Sequence, residues 1–390
     1  MKPLDRRSLL NWGAQATFAA AGASLLGCKK KDESRLLGAS RSIYIKNENP
    51  LGASPQIQRD LDINFHLANM HRYELYDESL ERLKNAISDT EGVSLEQIFV
   101  GPGSRHLIYE SLLNLHRKGY RRLLMGFPDY GTVEYFAREI GLQIQRLELN
   151  HQTLKYDLQR FAQLSDHQTV VYLSNPQLPY GHFFKKEEIR SFRKNLAPGA
   201  FLLIDEAYLH IRPEDNQDQS AVGLIDMGQI LVFRTFSKLH GLASQRIGYS
   251  IGAKENLKEC FSSYKKIRIA SSVGLDCARI SLADKKFQRQ SQDTIKEWSL
   301  KLEISHWLPP SIQMTQTHLL FIPLTILLKG EGIRWIDPKE QRIFYDQTGM
   351  SFWILGKKYF GTYISIQHPR KMKENIKKLL STLLEHQVIV

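Results

Sequence analysis

The sequence predicts an α/β fold, a mostly parallel central sheet covered by helices, followed by a smaller α+β C-terminal domain. Three observations carry this. From about Gln97 to Ile251, short apolar runs alternate with segments of helical period, the signature of βαβ units. After about Ile267 the order changes to helix, then strands, then a final helix. The 390 residues, 42% hydrophobic and 24% charged, suffice for a large core in an ordinary folded protein of two domains.

Residues 1–28 combine the pair Arg6-Arg7, a weakly apolar stretch from Leu9 to Gly27, and Leu25-Leu26-Gly27-Cys28. The arginine pair resembles a twin-arginine export signal, and the last four residues resemble a lipobox that would place lipid on Cys28. The stretch is too polar for a permanent membrane span. The expectation is export by the twin-arginine route, giving a periplasmic protein or a membrane-anchored lipoprotein tethered through Cys28. The alternative is an amphipathic N-terminal helix on a cytoplasmic protein. Residues 29–40 are charged and without period, and they read as a tether.

The expected strands are QIFV (97–100), RLLMG (122–126), QIQRLEL (143–149), TVVYLS (169–174), FLLID (201–205), ILVFRT (230–235) and RIGYSI (246–251). Helical periods lie between most of them, as in RHLIYESLLNLHRKG and VEYFAREIG. Ligands of such sheets bind beyond the carboxyl ends of the strands.

Net charge is +12 and the pI about 9.4, but Lys and Arg are scattered except at the two ends. The segment HPRKMKENIKKLL (368–380) reads as a terminal helix with a solvated basic face, so no nucleic-acid partner is expected. The cysteines, Cys28, Cys260 and Cys277, form no CxxC pair, and no Cys/His cluster has metal-ligand spacing. No metal is expected. No G-x-G-x-x-G opens the first βα turn, which argues against a Rossmann dehydrogenase.

The strand ends carry the chemistry. After QIFV comes GPGSRH, whose Gly103, Ser104 and Arg105 open a helix and offer free N–H groups to an anion. After FLLI come Asp205, Glu206, Ala207 and Tyr208, and a buried acid there needs a cation. After ILVF come Thr235, Ser237 and Lys238, with Arg246 eight residues beyond the lysine. Hydroxyls and an arginine beside a turn suit a phosphate, and a desolvated lysine can form a Schiff base. Each residue alone has a plain structural reading: Lys238 as a surface residue, Asp205 as a helix cap, Tyr130 and Tyr208 as core aromatics. Together they ask for one ligand with a phosphate, an aldehyde and a basic nitrogen, which is pyridoxal 5′-phosphate.

In this constellation the chain resembles the fold-type I pyridoxal-phosphate aminotransferases (class I/II), and within them the histidinol-phosphate aminotransferase-like branch. The resemblance rests on DEAY and RTFSKLHGLASQRIGY, supported in order by NENPLGASP, RYELYDESLERLKNAI, IFVGPGSRH, FPDYG and NPQLPYG. It implies an N-terminal arm over 41–70, a large cofactor domain over 71–266 and a small C-terminal domain over 267–390. It further implies that Lys238 holds the cofactor and moves the substrate proton, Asp205 keeps the ring nitrogen protonated, Tyr208 reaches the 3′-oxygen and Tyr130 stacks on the ring. Gly103, Ser104, Arg105, Thr235, Ser237 and Arg246 would hold the phosphate. Tyr73 would reach the phosphate of a neighbouring subunit, implying a homodimer, and Asn49 would lie near the substrate.

Three positions depart from the family pattern. Its Asn-Pro-Thr-Gly tetrad is here Leu178-Pro179-Tyr180-Gly181, so the asparagine donor to the 3′-oxygen is lost, with Asn175 or Gln177 as substitutes. Its C-terminal arginine, which grips a substrate carboxylate, is matched by Tyr363, with Arg370 or Lys371 as other cations. The acid usual in the phosphate turn is Arg105. The expected function is an exported transaminase moving an amino group from a small-molecule amino donor to a carbonyl acceptor. The alternatives are decarboxylation, elimination or racemisation on the same cofactor, or a non-catalytic binding protein.

Overall fold

The computed structural model describes residues 47–150, 153–211, 219–264 and 269–300, and beyond them 312–314, 321–327, 352–355, 359–365, 377 and 381. The expected export signal with Cys28, the tether, Arg370, Lys371 and the side chain of Tyr363 lie outside the described residues.

Two short helices, α1 (Gln56–Asp60) and α2 (Ile63–Ala68), precede the long α3 (Tyr73–Glu91). Leu75, Ser79, Leu83 and Ile87 recur every four residues in α3 and form its buried stripe. The helix stops at Gly92, whose φ of 68° is left-handed and free of penalty in glycine. Then follow β1 (Ile98–Gly101), α4 (Ser104–Arg117), β2 (Arg122–Phe127), α5 (Gly131–Ile140), β3 (Gln143–Glu148), α6 (Leu158–Leu164), β4 (Thr169–Ser174), α7 (Lys186–Asn195) and β5 (Phe201–Asp205). The next elements are β6 (Ile230–Thr235), β7 (Gly248–Gly252), α8 (Lys254–Phe261), α9 (Ser272–Ala283) and α10 (Lys285–Leu300).

The seven strands form one sheet in the order β1-β7-β6-β5-β4-β2-β3. From β3 to β6 every neighbouring pair is parallel, and β7 runs antiparallel to both β6 and β1. The winding reverses between β2 and β4, and such a reversal opens a crevice at the carboxyl ends of the strands.

Strand alternation sorts the core into two layers. Leu123, Met125, Val170, Tyr172, Phe201, Leu203, Leu231 and Phe233 face one layer, with Leu107 and Ile108 of α4 and Val133 of α5. Leu124, Val171, Leu173, Leu202, Ile204, Ile230 and Val232 face the other, with Leu83 of α3, Phe192 of α7 and Leu275 of α9. Each large apolar side chain removed from water contributes roughly 1.5–3 kcal/mol. The same alternation carries Asp205 and Thr235 onward on the face of Leu203 and Phe233, where the strands run out of core.

The strands found over 169–174, 201–205 and 230–235 have the expected bounds. β7 begins at Gly248 rather than Arg246, because Arg246 has a φ of 53°, a left-handed backbone that cannot continue a strand. A second, four-stranded antiparallel sheet contains β8 (Ile312–Met314), β9 (Phe321–Leu327), β10 (Phe352–Leu355) and β11 (Tyr359–Ser365) in the order β10-β11-β9-β8. In its register Tyr363 stands opposite Pro323. Among the described residues no helix is long and apolar enough to cross a membrane.

Candidate active site

The turn after β6 carries Lys238 back beneath the carboxyl end of the sheet. Its Nζ donates to the Asn47 carbonyl at 3.1 Å and lies 5.1 Å from the centre of the Tyr208 ring. Burial, and to a lesser degree the Arg105 charge, pushes the amine down to about 8, against Tyr130, Glu48 and Asp205, which favour the ammonium form. Near neutrality about a tenth of it is therefore the free amine, the nucleophilic form, against a vanishing fraction for an ordinary lysine.

Asp205 ends β5. Tyr172 donates its hydroxyl to Oδ2 at 2.8 Å, and the Ala207 N–H donates to Oδ1 at 3.0 Å. Burial pushes this carboxyl up, opposed by those two donors and by Lys238. A carboxylate has about four acceptor positions, so one more N–H from a ligand can be taken. Tyr208, three residues on, is buried, receives the Asn47 amide at 3.2 Å, and has its pKa raised by that burial.

The anion turn lies alongside. Gly103 has a φ of 88°, and a Cβ there would stand 2.7 Å from Nη2 of Arg246, so only glycine lets that guanidinium close over the N-terminus of α4. Arg246 Nη1 donates to Ser237 Oγ at 3.2 Å and to the Ala243 carbonyl at 2.8 Å. The Ser237 N–H donates to Thr235 Oγ1 at 3.1 Å. A glycine is needed at 248 too, since a Cβ there would meet Ser104 N at 2.6 Å and the Arg234 carbonyl at 2.8 Å. Backbone N–H groups, two hydroxyls and a guanidinium thus converge as an anion site.

Tyr130 caps α5, and its hydroxyl accepts from Arg105 Nε at 2.6 Å, with the guanidinium carbon 5.7 Å from the ring centre. Arg105 therefore does more than offer backbone to the anion: its side chain fixes the aromatic ring. The structure thus brings together Gly103, Ser104, Arg105, Tyr130, Asp205, Tyr208, Thr235, Ser237, Lys238 and Arg246.

The remaining expected residues are placed differently. Asn49 is buried, and its amide is committed to the Leu239 carbonyl, Ser291 Oγ and the Leu51 N–H, so it ties the arm to the lysine turn. Asn175 exchanges two hydrogen bonds with the Phe184 backbone. Gln177 accepts from the Tyr156 N–H and donates to the Leu154 carbonyl. Each amide thus spends its oxygen and one of its two N–H groups on backbone. Tyr73 opens α3 and is 73% exposed.

Three contributors escaped sequence reasoning. Asn47 serves both Lys238 and Tyr208, yet within NENPLGASP only Asn49 drew attention. Tyr172 was hidden inside an apolar strand, where its hydroxyl on the Asp205 face was the available signal. Asp129, read only as part of FPDYG, accepts from Ser174 Oγ and the Tyr130 N–H, both at 2.7 Å.

The sequence profile described as "Aminotransferase class I and II" matches residues 49–302. The histidinol-phosphate aminotransferase of Sulfurimonas denitrificans is 26% identical over 251 residues, covering 63% of this chain and 66% of that protein. The chain thus spans just under two thirds of the length of this curated relative. The solved histidinol-phosphate aminotransferase from Sinorhizobium meliloti in complex with pyridoxal-5′-phosphate matches with a TM-score of 0.68 at 20% identity, over 86% of this chain and 91% of that one. L-threonine-O-3-phosphate decarboxylase from Porphyromonas gingivalis matches with a TM-score of 0.64 at 17% identity, over 84% and 97%. These structural likenesses establish the fold.

Proposed function

We propose, from the premise that the chain belongs to the class I and II aminotransferase family, that it is a pyridoxal-phosphate-dependent transaminase of the histidinol-phosphate aminotransferase-like kind. It moves an amino group from an amino acid or related amine to a carbonyl acceptor. The observation that carries this reading is the buried Lys238 amine, held near 8 between the Asp205 carboxyl, the Tyr208 ring and an anion site.

The residues present fit the cofactor. The gap left by the missing Cβ of Gly103 is closed by Arg246, which makes the turn a cradle for a phosphate. Ser104 N–H, Thr235, Ser237 and Arg246 would hold that phosphate. Asp205 would keep a proton on the ring nitrogen, Tyr208 would donate to the 3′-oxygen, and Tyr130, pinned by Arg105, would cover the ring face. When bound, the cofactor supplies an electron sink for charge at the substrate α carbon. Lys238 Nζ, as free amine, takes the proton from that carbon and returns it, and the free-amine fraction rises as pH passes through about 8.

A homodimer belongs to the same reading. Ile63, Phe65, Leu67, Met70 and Tyr73 are all exposed within eleven residues of the arm and the start of α3, a run that a second copy would cover. Export by the twin-arginine route, with lipid on Cys28, is the further proposal that Arg6-Arg7 and Leu25 to Cys28 support.

The test is the near-ultraviolet and visible spectrum of the purified chain with pyridoxal phosphate, before and after a panel of amino acids and amines. The expected result is a cofactor band that amino donors convert to the pyridoxamine form. Absence of any band with added cofactor would overturn the reading. A second reading, decarboxylation on the same cofactor, is favoured by Tyr363 at the place of the carboxylate-gripping arginine. Carbon dioxide release without pyridoxamine phosphate would establish it instead.

Gly248→Ala tests the phosphate assignment. The added methyl drives Ser104 N away from the anion, so pyridoxal phosphate affinity is expected to fall at least about tenfold, with stability reduced by about 1–3 kcal/mol. Fluorescence titration and urea unfolding measure the two effects, and unchanged affinity would remove the turn from the phosphate site.

A further inference from the structure

Asn47 is buried, and its backbone has a φ of 50°, in the left-handed region that few residues besides glycine and asparagine enter readily. Two of its groups reach residues of the candidate site. Its carbonyl accepts from Lys238 Nζ at 3.1 Å, and its Nδ2 donates to the Tyr208 hydroxyl at 3.2 Å. Lys238 Nζ in turn lies 5.1 Å from the centre of the Tyr208 ring, so the three residues close a triangle.

The arm that carries Asn47 is fastened to the turn that carries Lys238. Asn49 Nδ2 donates to the Leu239 carbonyl at 2.5 Å and to Ser291 Oγ at 3.0 Å. A Cβ at Gly241 would collide with the Gly52 carbonyl, so only glycine lets the two backbones come this close. Ser54 Oγ donates to Asp284 Oδ2 at 2.5 Å. Asn47 is thereby held in one place relative to Lys238, and its amide has a fixed direction. That direction matters chemically. A hydroxyl has one hydrogen to give and two lone pairs with which to accept. Accepting from Nδ2 fills one of those positions and turns the hydrogen of the Tyr208 hydroxyl toward another acceptor. Leu178 stands where the family pattern has an asparagine donor for the 3′-oxygen, so the direction of the Tyr208 hydrogen carries more weight in this chain.

Resting on the cofactor reading above, we propose that Asn47 is a positioning residue for cofactor recognition: its side-chain amide orients the Tyr208 hydroxyl so that the hydroxyl donates to the 3′-oxygen of pyridoxal phosphate. Asn47 acts through Tyr208 in this role. Asparagine suits the place because it combines a tolerated left-handed backbone with an N–H donor. Glycine would offer the backbone without the donor, and aspartate an acceptor alone.

The test compares binding of pyridoxal phosphate to the full-length chain with binding of its analogue lacking the 3′-hydroxyl, and reads the ratio of the two affinities at neutral pH. A loss of packing or of arm docking weakens both compounds alike and leaves that ratio unchanged. The wild type is expected to prefer pyridoxal phosphate about tenfold. Tyr208→Phe should lose most of that preference. Asn47→Gly keeps the backbone and its carbonyl and should lower the preference about threefold. Asn47→Asp should lower it further, since its carboxylate draws the Tyr208 hydrogen away from the 3′-oxygen. In the Tyr208→Phe background, Asn47→Gly should change the ratio no further. The wild-type ratio in Asn47→Gly or Asn47→Asp, or an equal loss from Asn47→Gly with and without the Tyr208 hydroxyl, overturns the inference while the cofactor reading stands. So does a wild type that binds both compounds equally well. If the wild type binds neither compound, the cofactor reading falls and takes the inference with it.

Discussion

Lys238→Ala is expected to lose about 10⁴-fold or more in turnover, because one side chain is asked both to hold the cofactor and to carry the α proton. The bound cofactor should lose the band of its lysine linkage, and added primary amines should restore part of the activity by entering the space vacated by the stem. Stability should move the other way. The fall of the amine from the ordinary lysine value of 10.5 to about 8 means that the folded chain pays to bury the ammonium form. Lys238→Met keeps the stem and removes the charge, so without cofactor it should unfold at higher urea, by about 1–3 kcal/mol after allowance for relaxation around the amine. The sign follows from the depressed value. Below about 8 both folded and unfolded lysines are charged and the burial cost is fully present. Between about 8 and 10.5 the folded lysine is neutral while the unfolded one still takes protons, so the advantage of Lys238→Met shrinks and vanishes above 10.5. Unchanged activity together with unchanged stability would return Lys238 to the status of a solvated surface residue.

Much of this site was legible in the chain because a parallel strand announces its own carboxyl end. FLLID and ILVFRT are apolar until the layer of core ends, and the first polar residues after them are those the fold turns toward the crevice. That logic reached Asp205, Tyr208, Thr235, Ser237 and Lys238. It could not reach Asn47, whose carbonyl and amide serve Lys238 and Tyr208 from 191 and 161 residues away in sequence. No local period reports a contact made by an arm folding back over a sheet. It also misjudged amides. Asn49, Asn175 and Gln177 have the right chemistry for a ligand, yet backbone carbonyls, local for Asn175 and distant for Asn49 and Gln177, claimed their amides first, since a buried carbonyl left unpaired is costly.

The alternation that puts Asp205 and Thr235 on one face sends their neighbours, Glu206 and Arg234, to the other, where they join a buried charge cluster. Arg234 Nη2 lies 2.7 Å from Glu206 Oε2 and 3.7 Å from Glu91 Oε2, with all three side chains buried. Ser220 Oγ takes a hydrogen bond from Arg234 and gives one to Glu206, the Ala221 N–H donates to Glu206, and Tyr249 donates to Glu91. His210 Nε2 accepts from Nη1 of the same arginine. Burial, with Glu91 adding to it, raises Glu206 despite the guanidinium, the Ala221 N–H and Ser220; burial alone would lower Arg234, but Glu91 and Glu206 outweigh it and raise it. Arg234→Met therefore leaves two acids buried without a cation. The expected cost is about 3–5 kcal/mol, read as a lower urea midpoint, and greater than that of any exposed ion pair in the chain. Adding Glu206→Leu to Arg234→Met should recover part of the loss, because a buried pair replaced as a whole by apolar side chains is far less costly than a broken one. A double variant as unstable as the sum of the singles would mean that the arginine acts through packing alone. Since Arg234 precedes Thr235 and Glu206 follows Asp205, the broken pair also frees the two strand ends that would carry the proposed cofactor contacts. Arg234→Met should accordingly bind pyridoxal phosphate more weakly than wild type even under conditions where both are folded, and Arg234→Met with Glu206→Leu should regain stability before it regains affinity.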